Sequence, residues 1–125
     1  MKKYRILLVD DHVQFLSALK FLIIDTFNEE IESIDTACNG KECLDILSKK
    51  VVDIVFMDID MPVMNGIETT RIASETYRNL IIIALSFHSD MKYVIQMIEA
   101  GAPSYSIKEE VNKELLSSVI EKCYA

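Results

Sequence analysis

The chain has 125 residues, a formal net charge of -7 at pH 7 and hydrophobic side chains at 50% of its positions. This length predicts one domain, residues 1–125, because a chain of this size buries about two-thirds of its unfolded surface. The acidic balance argues against direct nucleic-acid contact, which needs lysine and arginine to neutralise phosphates. No apolar run approaches the roughly 20 residues of a membrane span, and no signal-peptide pattern opens the chain. We therefore expect a cytoplasmic protein without a membrane contact.

Apolar runs alternate with helical patterns along the whole chain. The predicted strands cover residues 4–9, 31–37, 52–57, 80–85 and 103–107, and the predicted helices cover residues 13–27, 41–48, 67–77, 91–100 and 111–123. The run at 4–9 is apolar apart from one arginine, and LIIIAL at 80–85 is the clearest, a pattern typical of strands covered on both faces, whereas the run at 31–37 is weaker. The helical segments carry apolar residues at the spacing of one helix face.

Local signals mark the last helix–strand junction. Asp90 is predicted to cap the helix that follows it, and Gly101 is predicted to end that helix. Pro103 favours an edge position for the last strand, where a missing amide is tolerated.

Five alternating strand–helix units predict an α/β domain with a parallel sheet, right-handed crossovers and helices on both faces. In such a sheet the ligand binds beyond the carboxyl ends of the strands, where the strand order reverses. The residues at those ends are therefore the candidate site.

Charged and polar residues stand at four of these strand ends. Asp10 and Asp11 follow the first predicted strand, Asp58 follows the third, Ser86 the fourth and Lys108 the fifth. Three carboxylates in one partly desolvated crevice repel one another, and a hard cation relieves that repulsion. Mg²⁺ suits the position because it binds one or two carboxylates and leaves room for a phosphoryl oxygen.

The Asp10–Asp11 pair also has a simpler interpretation as a helix cap. One aspartate would suffice for a cap, so we favour the metal role. His12 and His88 are interpreted as a surface residue and a loop residue, not as metal ligands.

The three cysteines predict neither a disulfide framework nor a zinc site. Cys38, Cys43 and Cys123 are odd in number, lack the Cys-x-x-Cys spacing and have no histidine nearby. We expect them to be reduced and buried.

Four segments together carry a family resemblance: LLVDDH at 7–12, DIDMPVMNG at 58–66, ALS at 84–86 and AGAPSYSIK at 100–108. In this order and spacing the chain resembles a receiver domain of a bacterial two-component response regulator, over essentially its whole length. The segment LSFHSDMKYV at 85–94 and the acidic pair after the lysine are similar to receivers attached to LuxR-type output domains.

The resemblance implies a flavodoxin-like sheet with strand order 2-1-3-4-5 and a metal-dependent phosphoacceptor. By that resemblance Asp58 accepts the phosphoryl group. Asp11 and the backbone carbonyl of Asp60 join Asp58 on Mg²⁺, and Asp10 supports the metal site.

The remaining site residues have roles toward the phosphoryl group by the same resemblance. Ser86 would hydrogen-bond a phosphoryl oxygen, Lys108 would pair with Asp58 and then with its phosphate, and Tyr105 would be the switch aromatic. The implied partner is a sensor histidine kinase or a phosphotransfer protein, with a phosphorylation-dependent homodimer as an option. The domain would not be an enzyme but would assist its own phosphorylation and dephosphorylation, and would reach DNA only through an output domain.

Three alternatives belong to other functional classes. A haloacid-dehalogenase-like phosphohydrolase shares the Asp-x-Asp of VFMDID, but Pro62 stands where that family has threonine or valine, and Asp10 and Asp11 would have no role. A flavodoxin-like flavin binder needs a Ser-, Thr- and Gly-rich first loop, whereas this loop reads DDH. A degenerate receiver that acts only as an interaction module is disfavoured by the intact Asp58, Ser86 and Lys108.

Overall fold

One parallel five-stranded sheet with helices on both faces forms the protein. The computed structural model describes residues 3–124. The strands are Tyr4–Val9 (β1), Ile31–Ala37 (β2), Ile54–Met57 (β3), Ile81–Ser86 (β4) and Ser104–Ile107 (β5). The helices are Val13–Phe27 (α1), Gly40–Lys49 (α2), Gly66–Thr76 (α3), Met91–Ala100 (α4) and Lys113–Cys123 (α5). The strand order is β2-β1-β3-β4-β5, so the predicted fold class is confirmed.

Alternate residues of the central strands β1, β3 and β4 face two separate cores, which explains the apolar runs of these strands. On one face Leu7, Val55 and Ile82 pack with residues of α2, α3 and α4. On the other face Ile6 and Phe56 pack with residues of α1 and α5. Burial of both faces stabilises the sheet by roughly 25 cal/mol for each Å² of apolar surface removed from water. Among the described helices, none is long and apolar enough to cross a bilayer.

Two predicted element boundaries move for identifiable reasons. The third strand begins at Ile54 instead of residue 52. Its neighbour Asp53 bonds to both flanking strands through its backbone, donating its N–H to the Arg5 carbonyl and accepting the Ile81 N–H. Its carboxylate also accepts the Arg5 backbone N–H at 2.8 Å, a side-chain bond that stands where a regular strand would have a backbone acceptor. The last helix begins at Lys113 instead of residue 111, because Asn112 caps it by accepting the Leu115 N–H at 2.8 Å.

The helix-end predictions around α4 have mixed outcomes. Asp90 occupies the predicted N-cap position, but its side chain makes no capping hydrogen bond. The position of the cap is therefore confirmed, and the predicted side-chain bond is wrong. Gly101 ends the helix with φ 123°, a conformation that side chains rarely adopt. Pro103 precedes β5, which pairs with β4 alone and is an edge strand as predicted.

The cysteines are all free thiols, as predicted, but only one is buried. Cys43 lies in the core, where burial raises its pKa to about 12. Cys38 is exposed and Cys123 is half-buried, so the expectation of three buried thiols is wrong for these two.

Candidate functional site at the carboxyl edge of the sheet

The two central strands bring Asp10 and Asp58 side by side. The Asp10 N–H donates to the Ala37 carbonyl and the Asp58 N–H donates to the Val9 carbonyl, both at 3.0 Å. The sheet hydrogen bonding therefore continues one residue past β1 and β3. Both aspartates are held by backbone bonds and are almost fully buried, at 3% and 4% exposure.

Helix α3 begins directly against the backbone of Asp58. The Gly66 N–H donates to the Ile59 carbonyl at 2.8 Å. A Cβ atom at Gly66 would lie 1.8 Å from the Asp58 carbonyl oxygen, a distance that no side chain tolerates. Glycine is required here by close approach, and the approach fixes the position of Asp58.

The Lys108 ammonium lies between the two buried aspartates. Its Nζ is 2.5 Å from Asp10 Oδ2 and 3.3 Å from Asp58 Oδ1, and its side chain has no exposed surface. The rings of Phe15 and Phe87 lie 4.5 and 4.7 Å from Nζ and cover it from water. The ammonium makes ion pairs with both carboxylates but no well-angled hydrogen bond with either. The shared ammonium therefore holds the two buried carboxylates next to each other.

Asp58 carries an incompletely satisfied carboxylate. Its Oδ2 is buried and has no hydrogen-bond partner. Burial, together with the neighbouring Asp10 charge, raises the pKa of Asp58 to about 6, while Lys108 opposes the rise. A buried acceptor without a partner is costly, so this oxygen is suited to bind a cation or to react.

The acidic cluster fits a hard divalent cation. Asp10, Asp11, His12 and Asp58 each offer one donor atom, and these atoms lie within 4.8 Å of one another. Three carboxylates against the single Lys108 ammonium give this group a formal charge of about -2. Carboxylate oxygens and the unpartnered Asp58 Oδ2 match the ligand preference of Mg²⁺. The residues present therefore fit the ion.

His88 contacts Ser86, Tyr105 and the mouth of the site. Its N–H donates to the Ser86 hydroxyl at 3.1 Å, and its carbonyl accepts the Tyr105 hydroxyl at 2.7 Å. Its ring stacks on Tyr93 with centroids 4.1 Å apart, and its Nε2 contacts Asp60 Oδ2. Tyr105 is half-buried, and that burial raises its pKa.

Comparison with known proteins decides the family. The model of the response regulator receiver domain matches residues 6–120. The chain belongs to this family.

The receiver is similar in sequence to a curated transcriptional regulator. The transcriptional regulatory protein DegU of Brevibacillus brevis is 31% identical over 117 residues, which cover 94% of this chain and 49% of that protein. The receiver thus spans about half the length of that curated relative.

Solved structures agree with this fold. A two-component response regulator of the LuxR family from Aurantimonas sp. SI85-9A1 is 26% identical, with a TM-score of 0.81 over 97% of this chain and 84% of that one. The CheX–CheY–BeF3–Mg²⁺ complex of Borrelia burgdorferi is 25% identical, with a TM-score of 0.88 over 99% of this chain and 91% of that one. The predicted receiver identity and LuxR-type likeness are confirmed, and nothing supports the phosphohydrolase alternative.

The receiver fold brings the predicted site residues together at one edge. Asp10, Asp11, Asp58 and Lys108 form the acidic pocket, as their positions after the strands predicted. Ser86 and Tyr105 both bind the backbone of the same residue, His88. The metal role of the Asp60 carbonyl and the phosphoryl-transfer roles stay predictions.

Three residues of the acidic pocket were not predicted from the sequence. Phe15 and Phe87 cover the lysine, and the only available signal was that Phe87 directly follows Ser86. His12 is exposed, as predicted for a surface residue, but its ring nitrogen also belongs to the cluster of donor atoms, which was not predicted. Its position next to the aspartate pair was a signal that could have found it.

Proposed function

We propose that this receiver is the phosphoacceptor domain of a two-component signalling system, with Asp58 as the residue that accepts the phosphoryl group. The observation that carries the proposal is the buried, unpartnered Asp58 Oδ2 beside a fully buried lysine. The donor would be a phosphohistidine of a sensor histidine kinase or of a phosphotransfer protein.

In the proposed reaction an Asp58 carboxylate oxygen attacks the phosphorus of the phosphohistidine. The O–P bond forms an acyl phosphate, the P–N bond breaks, and its electron pair leaves with the imidazole of the donor. Lys108 is placed to neutralise the charge on the transferred group, and the Ser86 hydroxyl can donate to one of its oxygens. When bound by Asp10, Asp11, Asp58 and the Asp60 carbonyl, Mg²⁺ would supply further charge neutralisation for the phosphoryl oxygens.

The domain would act on no other substrate. Receiver domains are signalling domains, and we infer that this one assists its own phosphorylation and the later hydrolysis of its aspartyl phosphate. The same groups position and neutralise charge in both directions, which is most of what phosphoryl transfer requires.

Intact-mass analysis tests the assignment of Asp58. Incubation with a phosphohistidine donor and Mg²⁺ should add one phosphoryl group that hydroxylamine removes, as expected for an acyl phosphate. Asp58→Asn should abolish the addition. Asp60→Asn is the matched control, because Asp60 lies in the same segment with an exposed side chain and should leave the addition intact. The same adduct in Asp58→Asn protein would place the acceptor elsewhere.

We further propose that the signal leaves through Ser86 and Tyr105 to the surface of α4, β5 and α5. A phosphoryl group would draw the Ser86 hydroxyl inward, and Tyr105 would follow into the space behind the loop. A hundredfold change in the ratio of two states needs about 2.7 kcal/mol, within reach of one or two charge-assisted hydrogen bonds. That surface would serve a phosphorylation-dependent homodimer or a linked output domain, through which any DNA contact would be made.

An NMR comparison of the free protein with protein carrying Mg²⁺ and beryllofluoride tests the switch. Beryllofluoride mimics the phosphoryl group on Asp58, so Tyr105 and residues 90–108 should shift. Ser86→Ala should weaken those shifts while leaving Asp58 modified. Changes confined to the acidic pocket would contradict the proposed switch.

A further inference from the structure

His12 presents an imidazole nitrogen to the acidic pocket. It precedes α1, where its side chain makes no capping hydrogen bond with the helix. Its Nδ1 lies 3.0 Å from Asp10 Oδ1 and 3.3 Å from Asp11 Oδ1. The ring also meets the edge of Phe87, with centroids 6.4 Å apart, so an aromatic contact supports its orientation.

The two separations of His12 Nδ1, 3.0 and 3.3 Å, are close to those of adjacent donor atoms around one metal ion. Ligands bound at about 2.1 Å lie about 3.0 Å apart when adjacent and about 4.2 Å apart when opposite. The donor atoms of Asp10, Asp11, His12 and Asp58 all lie within 4.8 Å of one another. A second observation points to a ligand, since Asp58 Oδ2 is buried and unpartnered in the same cluster.

We propose that His12 Nδ1 is a ligand of this metal site and that it broadens the site from Mg²⁺ toward borderline ions such as Co²⁺. This inference rests on the proposed metal site and replaces the expectation that His12 is only a surface residue. Carboxylate oxygens suit hard ions, whereas imidazole nitrogen favours the later first-row metals. One nitrogen among several oxygens therefore raises affinity for Co²⁺ more than affinity for Mg²⁺.

The competing interpretation makes His12 an outer partner of the metal. In that case Nδ1 only hydrogen-bonds Asp10 and orients it, and loss of His12 weakens all metals alike. The variant His12→Asn separates the two interpretations. Asparagine places an amide near the position of Nδ1, which keeps a hydrogen bond to Asp10 but removes the imidazole.

Calorimetric titration of the full chain with Mg²⁺ and with Co²⁺ measures the selectivity. We expect His12→Asn to lose about 10- to 100-fold in Co²⁺ affinity, the range seen when metal-site partners are removed, while Mg²⁺ affinity changes by less than about threefold. His88→Asn is the matched control, because it removes the other histidine of the chain, and the ratio of the two affinities should not change. Equal losses for both metals in His12→Asn would overturn the inference.

Pulsed EPR of bound Mn²⁺ gives a direct readout of the ligand. The native protein should show coupling of Mn²⁺ to an imidazole ¹⁴N, which changes to ¹⁵N coupling when the protein is labelled with [¹⁵N]histidine. The coupling should disappear in His12→Asn and persist in His88→Asn. Absence of histidine coupling in the native protein would also overturn the inference.

The two proposals fail separately. If Asp58 accepts no phosphoryl group but the histidine coupling is present, the proposed function fails and the His12 ligand stands. If Mg²⁺-dependent phosphorylation of Asp58 proceeds and the coupling is absent, the His12 inference fails alone.

Discussion

Replacement of Lys108 by methionine measures how strongly one buried cation holds the acidic pocket together. Lys108→Met keeps the apolar stem that packs under Phe15 and Phe87 but removes the ammonium. In metal-free protein this leaves Asp10 and Asp58 buried beside each other without a counter-charge. We expect a large loss of stability.

The magnitude follows from the contacts of Nζ. At the 3.3 Å separation from Asp58 Oδ1, the Coulomb attraction is about 5 kcal/mol for an effective dielectric constant near 20. Desolvation of the ammonium offsets much of this, and removal of one partner of a buried pair costs about 3–5 kcal/mol. Water reaches the pocket at its mouth, next to the exposed Asp11, so we take the lower end of this range of about 3–5 kcal/mol. For a chain of this length, 3 kcal/mol lowers the melting temperature by about 12 °C.

Urea unfolding in EDTA provides the assay, with a double-mutant cycle. Asp58→Asn should recover about 1–3 kcal/mol of the loss in the Lys108→Met background, because only Asp10 then remains buried without a counter-charge. Lys113→Met is the matched control. Lys113 also pairs with an aspartate at 2.5 Å, but both side chains are more than half exposed, so its loss should cost less than about 0.5 kcal/mol. Equal effects of the two lysine replacements, or additive effects of Lys108→Met and Asp58→Asn, would refute the reasoning.

Three further predictions concern the same pocket. Mg²⁺ at ten times its dissociation constant should add about 1.4 kcal/mol to the free energy of unfolding, a rise of several degrees in melting temperature that Asp11→Ala should remove; an equal rise in that variant would contradict the metal site. In metal-free protein the pKa of Asp58 is raised from 3.8 to about 6, so its stabilising protonation is present at low pH and lost as pH rises through about 6. The free energy of unfolding of Asp58→Asn, measured by urea titration, should therefore rise relative to that of the native protein between about pH 4 and pH 7. A difference in unfolding free energy that stays constant over this range would contradict the raised pKa. His88→Ala should speed hydrolysis of the aspartyl phosphate severalfold, measured by phosphate release, because it removes the ring that contacts Asp60 across the mouth; an unchanged rate would show that the ring does not limit water access.

The strands and the pocket aspartates were predictable because the central strands are apolar runs and the aspartates directly follow two of them. Burial of both sheet faces requires apolar residues at every strand position, so the runs ending at Val9 and Met57 are strands by composition. The residue after such a run lies at the carboxyl edge of the sheet, and the strand order that places β1 beside β3 was implied by the family resemblance. Asp10 and Asp58 could therefore be placed together before any coordinate was known.

The contacts of the pocket rim were not predictable from spacing. Asp60 and His88 lie 28 residues apart on different loops, and their meeting depends on how each loop leaves the sheet. The environment of Lys108 depends likewise on rings from α1 and from the loop after β4. Beyond the end of a strand, tertiary packing sets the direction of each side chain, and no periodic pattern in the sequence predicts it.

Three consecutive residues, the last of β4 and the two that follow it, offer a route by which events at Asp58 could reach α4. The Ser86 hydroxyl accepts the His88 N–H, Phe87 covers the Lys108 ammonium, and His88 stacks on Tyr93 in the first turn of α4. Adjacent residues share one backbone, so an inward shift of Ser86 cannot leave the other two in place. It would disturb the cover of the lysine and the helix contact in the same movement. It would also move the His88 carbonyl that accepts the Tyr105 hydroxyl at 2.7 Å, and so would reach the residue that we propose as the switch aromatic. The backbone of these three residues would thus connect the acidic pocket to the surface of α4. No long chain of side-chain contacts is needed between them.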